Sequence, residues 1–162
     1  MSHGFDDRGS QYDADGNLHD WFTQEDHEKF KAKTRALVEQ YEVYEPVPGF
    51  HVNGELTLGE NIGDNSGLAI AYKAYRLSLA GRPERVIDGL TGDERLYLGW
   101  VQVWRGKARE AEAIQRTKTD PHSPPAVRGT APVVNQAGFY AAFGVKEGDK
   151  MYVPPERRVS IW

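Results

Sequence analysis

Cysteine is absent from the 162 residues. That excludes disulfide staples and a thiolate zinc site, but not a metal site made of imidazole and carboxylate. No long basic run is present and the net charge is −4, so nothing supports nucleic acid as a partner. No apolar stretch approaches transmembrane length, so the chain carries no membrane segment, and nothing at its start reads as a signal peptide. Apolar residues make up only 39% and charged residues 27%, a soluble composition still rich enough in apolar groups to fold. The length suits a single domain spanning 1–162 with a core of its own.

The most informative stretch runs from Leu56 to Tyr75 and reads as a long helix that breaks two rules of helix composition. Gly59, Gly63 and Gly67 recur every four residues, each costing about 1 kcal/mol relative to alanine. Glu60 and Asp64 stand at i and i+4, where like charges repel by about 0.2–0.5 kcal/mol. At about 100° per residue, both acids fall within the arc of Leu56, the glycines, Leu68, Ile70, Ala71, Ala74 and Tyr75. Asn61, Asn65, Ser66, Lys73 and Arg76 fall opposite and are expected in solvent. Two carboxylates on a buried face demand a cation, and the glycine row would let that partner's backbone come close.

Around this helix the chain reads as mainly α. Arg8 to Asp20 is loop by composition. Asp13, Asp15 and Asn17 mimic the start of a calcium loop, but Leu18 replaces its glycine and Gln24 its glutamate, so turn chemistry is the better account. Thr23 caps a helix from Gln24 to about Tyr41, with Phe30, Leu37, Val38 and Tyr41 as its buried stripe and His27 at the surface. Gly81-Arg82-Pro83 ends the glycine-rich helix, and Thr91-Gly92-Asp93-Glu94 opens another through a capping box. Leu96, Tyr97, Trp100, Val101, Val103 and Trp104 on that helix are most simply core. A short helix from Ala108 to Arg116 precedes Lys118–Gly129, where Pro121, Pro124 and Pro125 forbid helix and stiffen a loop carrying His122 and Arg128. A final helix spans about Val134 to Phe143, and an extended tail docks through Ile161-Trp162. His3, taken alone, is a frayed terminus.

Three segments together resemble the neprilysin-like zinc metallopeptidases. Ser2-His3-Gly4-Phe5-Asp6-Asp7 resembles the second half of their H-E-x-x-H-G-F-D-D helix, and Gly59-Glu60-Asn61-Ile62-Gly63-Asp64 their G-E-N-x-x-D segment. Asp120-Pro121-His122-Ser123-Pro124 with Arg128 is similar to their D-x-H-S-P…R loop, and Gln102-Val103-Trp104 to a further family position. The segments occur in the family's order across essentially the whole chain. The resemblance implies the helical C-terminal part of a zincin-type, thermolysin-like catalytic domain that hydrolyses peptide bonds in peptides.

It also implies roles. His3 and Glu60 would be zinc ligands in a two-histidine, one-glutamate site. Asp64 would orient a zinc histidine or donate a proton, with Asp6 in a similar orienting role. His122 would stabilise the oxyanion, held by Asp120, and Arg128 would grip the substrate backbone or its C-terminal carboxylate. Val103 and Trp104 would line the pocket for the side chain after the scissile bond. An exported or cell-envelope setting is implied as well.

One departure from the family pattern is severe. The first zinc histidine and the general-base glutamate of H-E-x-x-H would lie before Met1, with Met1 and Ser2 on the two x positions. A late start codon, a truncated gene or a fragment would each explain it. The chain as written is expected to lack peptidase activity, to bind Zn2+ weakly, and to self-associate through exposed apolar surface. The competing expectation is a non-enzymatic helical remnant without metal. An acid/base pair acting on sugars is disfavoured, because two acids one turn apart on one helix cannot flank a glycosidic bond.

Overall fold

A computed structural model describes residues 2–162; Met1, which the resemblance sets on a variable motif position, lies outside the described residues. Six α-helices carry the fold, with short 3-10 turns between them and no named strand among the described residues. They are α1 (Gln24–Glu42), α2 (Leu58–Ser78), α3 (Gly92–Val103), α4 (Glu110–Thr119), α5 (Pro125–Thr130) and α6 (Ala137–Phe143). Both capping expectations hold. Thr23 and Asp26 form a reciprocal box at the start of α1, and Thr91 and Glu94 form another at α3. Each box satisfies two backbone donors that the first turn leaves open.

The helix α2 is the spine because it enters both apolar clusters. Its Ile62 joins Leu37, Tyr41, Val52, Val127, Ala131, Val159 and Ile161. Its Leu68 joins Tyr97, Val133, Phe139 and Tyr140, with Tyr72, Leu96 and Trp100 packed alongside. Burying one such leucine or isoleucine is worth about 1.5–3 kcal/mol, so the two contacts anchor the helix at points six residues apart. The tail docks as expected. Ile161 is buried, and the Trp162 ring stacks on Phe30 at 5.6 Å while meeting Phe22 and Phe5 edge-on.

Besides Val101 and Val103, read as core but 36% and 73% exposed, three expectations are corrected. The face of α2 assigned to solvent is buried in its first half, where Asn61, Asn65 and Ser66 are enclosed, and exposed as expected at Lys73 and Arg76. Of the arc assigned to the interior, Asp64 and Leu68 are buried, but Ile70 is 65% exposed and Gly67, Ala71 and Ala74 face outward. The asparagines are buried because each finds partners. Asn61 donates to Thr57 Oγ1 at 2.9 Å and accepts from Ser123 Oγ at 2.7 Å; Asn65 donates to the Val159 carbonyl at 2.8 Å and accepts from Gln136. A satisfied amide loses most of its desolvation penalty. Second, Arg128 lies on a helix, α5, and not in a proline-stiffened loop. Pro125 occupies the first turn of that helix, where the missing N–H costs nothing. Third, the last predicted helix is split at Gln136 into a 3-10 turn, Val133–Asn135, and α6.

Candidate active site

The first two turns of α2 carry Glu60 and Asp64, and three other segments converge on them. The N-terminal 3-10 turn, Ser2–Phe5, brings His3. Its geometry is set by Asp6, a buried carboxylate. Oδ1 accepts the Arg8 and Gly9 N–H groups at 2.9 and 2.8 Å, and Oδ2 lies 2.8 Å from His3 Nδ1. With Nδ1 engaged, Nε2 of His3 points at Glu60 and comes within 3.2 Å of its Oε1.

The second segment is the stretch between α4 and α5. Asp120 Oδ1 accepts the His122 backbone N–H at 2.9 Å and lies 2.7 Å from its Nδ1, while Arg116 Nε donates to Oδ2 at 3.2 Å. Burial raises the Asp120 carboxyl, but the hydrogen bonds of His122 and Arg116 outweigh it and leave the group below its ordinary value. His122 Nε2 is thereby directed at Glu60, 3.3 Å from Oε2. The adjoining Ser123 hydroxyl, bonded to Asn61, pins this stretch to α2.

Arg128 on α5 supplies the third group. Its Nε donates to Asp64 Oδ2 at 2.6 Å and its Nη2 to Asp64 Oδ1 at 2.7 Å, a bidentate fork, and Nη2 also reaches Glu60 Oε2 at 3.2 Å. The cation demanded by the acidic pair is, among the described residues, this guanidinium. Burial pushes the Asp64 carboxyl above its ordinary range, against the pull of Arg128 and with added repulsion from Glu60. Arg128 is itself clamped by α3: its guanidinium lies 4.1 Å from the Trp104 ring centroid, and Trp100 Nε1 donates to its carbonyl at 3.1 Å.

Eight of the nine predicted site residues are thus joined by direct contacts. His3, Glu60, Asp64, His122 and Arg128 form the centre, Asp6 and Asp120 hold the two imidazoles, and Trp104 backs the arginine. Val103 takes no part in these contacts and is 73% exposed. Three contributors escaped the sequence reading: Asn61, Ser123 and Trp100. The first was placed on the solvated face, the second was quoted only as part of a motif, and the third was read as core.

An imidazole nitrogen and a carboxylate oxygen facing each other at 3.2 Å are a donor pair that suits Zn2+. Asp6 beside Nδ1 favours the tautomer protonated there, which leaves Nε2 for the metal. No group of three histidine or acidic side chains able to hold a metal occurs among the described residues, so the fit is to part of a site.

Convergence of these motifs on one helix defines the class, and the comparisons agree with it. The family described as Peptidase family M13 matches residues 1–159, and the chain belongs to that family. Among relatives, it is 40% identical over 169 residues to neprilysin-21 of Caenorhabditis elegans and 37% identical over 167 residues to human neprilysin. All of this chain is covered in both matches, but only 22% of either relative, so the chain spans about a fifth of their length. Among solved structures, the inhibitor complex of the Mycobacterium tuberculosis zinc metalloprotease Zmp1 superposes with a TM-score of 0.96 at 54% identity, covering 99% of this chain and 25% of that one. PepO from Lactobacillus rhamnosis superposes with a TM-score of 0.84 at 34% identity, covering 99% of this chain and 24% of that one. The fold is accordingly the mainly helical C-terminal catalytic part of an M13 metallopeptidase.

Proposed function

We propose that this chain supplies one wall of a zinc metalloendopeptidase site that hydrolyses peptide bonds in peptide substrates. The observation that carries the reading is the approach of His3 Nε2 to Glu60 Oε1 at 3.2 Å with Asp6 behind the imidazole. His3 and Glu60 would hold Zn2+, which when bound polarises the scissile carbonyl and lowers the pKa of water. His122, aimed by Asp120, stabilises negative charge on the carbonyl oxygen. Arg128 offers its Nη1, engaged by neither carboxylate, to a substrate carbonyl or C-terminal carboxylate. Asp64 keeps that arginine in place, and Trp104 presents an aromatic wall beside it for an apolar substrate side chain, with the exposed Val103 as its neighbour.

Ile70, Leu77 and Val103 present exposed apolar side chains, which suit either self-association or cover by further chain. Membership of the neprilysin family suits an exported or cell-envelope setting; no helix among the described residues is long and apolar enough to cross a membrane.

Zinc affinity of the purified chain, measured by chelator competition, tests the reading. Binding that is lost in both Glu60→Ala and His3→Ala supports it. Binding unchanged by both substitutions, or no binding at any concentration, overturns it.

A further inference from the structure

We propose that Gly59 is a positioning residue that sets the spacing between His3 and Glu60, acting with Gly9. A Cβ built on Gly59 would lie 3.1 Å from Asp6 Oδ2 and 3.1 Å from Asp7 Oδ1. Contacts that short force a neighbour to give by a few tenths of an ångström. Asp6 has no room to give. Its two oxygens are taken by the Arg8 and Gly9 amides and the His3 ring, and the side chain is buried. Any push on Asp6 Oδ2 passes directly to His3 Nδ1, and so changes how Nε2 meets Glu60 on the residue next to Gly59.

Gly9 fixes the other side of the same turn. A Cβ there would fall 1.6 Å from the His3 carbonyl oxygen and 2.8 Å from Gly4 Cα, both backbone atoms. The turn bearing His3 is therefore packed between two glycines, one in its own loop and one in the facing helix. Gly67, eight residues further along α2, has nothing within 4 Å of its Cβ position and provides the control. Helix propensity alone predicts that alanine improves both positions.

The inference rests on the zinc reading for its consequence, but its geometry can be read without metal. The experiment compares Gly59→Ala and Gly67→Ala in the full chain by thermal melting, Zn2+ competition and the ring 15N signals of His3 in metal-free protein. Gly59→Ala should fold, shift the His3 ring signals, and weaken Zn2+ binding by about tenfold, the loss usual for disturbing a ligand's support. Gly67→Ala should leave the ring signals and the Zn2+ affinity unchanged. Should Gly59→Ala fold poorly, adding Asp7→Ala removes one of the two clashes and should recover folding and part of the affinity.

Unshifted His3 signals in Gly59→Ala, with parental Zn2+ affinity, overturn the inference. A parent chain that binds no Zn2+ at all sinks the metal reading instead, and the ring signals still decide whether Gly59 sets the spacing.

Discussion

The two halves of α2 follow opposite rules. From Leu58 to Ser66 the helix buries polar groups: Asn61, Asp64, Asn65 and Ser66 are enclosed, with Ile62 the apolar residue of the set. From Gly67 to Ser78 it exposes apolar ones, Ile70 at 65% and Leu77 at 70%, and retains Leu68 as its buried anchor. The first half is held by complementarity of charge and hydrogen bonds to α5, the His122 segment and the tail. The second half is held by Leu68, by Tyr72 packing on Tyr97 at 5.5 Å, and at its rim by Tyr72 and Arg76 donating to the buried Asp93 at 3.0 and 3.2 Å. A helix can thus be amphipathic in reverse over one stretch when its amides and carboxylates meet partners, even with the buried Ser66 hydroxyl left without one; such groups then specify a neighbour more sharply than leucines would.

Substitutions that remove one partner should separate the halves most. Arg128→Ala leaves the buried Asp64 without its fork and Glu60 without one donor, and should cost about 3–5 kcal/mol in urea unfolding. Arg128→Lys cannot reproduce the planar fork and should recover only part of that loss. A cost for Arg128→Ala as small as that of a surface change would dissolve the distinction. Asn61→Ala comes next. It strands the Ser123 hydroxyl and removes the amide that Thr57 accepts, leaving Thr57 its own bond to the Asn53 carbonyl, and should cost about 1–3 kcal/mol, read by the same unfolding experiment.

In the second half the sign should reverse. Gly67→Ala, in open space, should stabilise by up to about 1 kcal/mol in thermal melting. Ile70→Ser should change stability by no more than about 0.5 kcal/mol while reducing self-association in sedimentation.

The smallest effect concerns pH. The Asp120 carboxyl is lowered in the folded chain, so its contribution is present above the ordinary carboxylate range and is lost as pH falls through its lowered value. The His122 backbone amide signal should therefore titrate with a midpoint below the ordinary carboxylate value of about 4. Asp120→Asn should abolish that acidic step.

Much of this was legible in the residues. Thr23 with Asp26 and Thr91 with Glu94 announced two helix starts, because a capping box is a local pattern that needs no tertiary partner. The pairing of Glu60 and Asp64 announced a cation for the same kind of reason, an acidic pair amid small residues being costly wherever it is enclosed. The family resemblance made that cation a metal ion and Arg128 a substrate contact, whereas the fork on Asp64 is Arg128's own. The side of α2 that faces inward was not legible. Asn61 and Asn65 read as solvent residues until Ser123, Val159 and Gln136, 62 to 94 positions away, are known to reach them. Likewise Pro125 read as a helix breaker because nothing local says that it opens α5. Eight of the nine residues named through motif order lie in one network of contacts, whereas Val103 was carried along by its neighbour Trp104 and stands outside it.

The central claim is that His3 and Glu60 face one another as two ligands of one metal ion. Crystals of the chain soaked in Zn2+ and recorded at the zinc absorption edge test it most directly. An anomalous peak is expected about 2.0–2.2 Å from both His3 Nε2 and a Glu60 oxygen. A peak bound elsewhere, or none between these two side chains at saturating zinc, would contradict it.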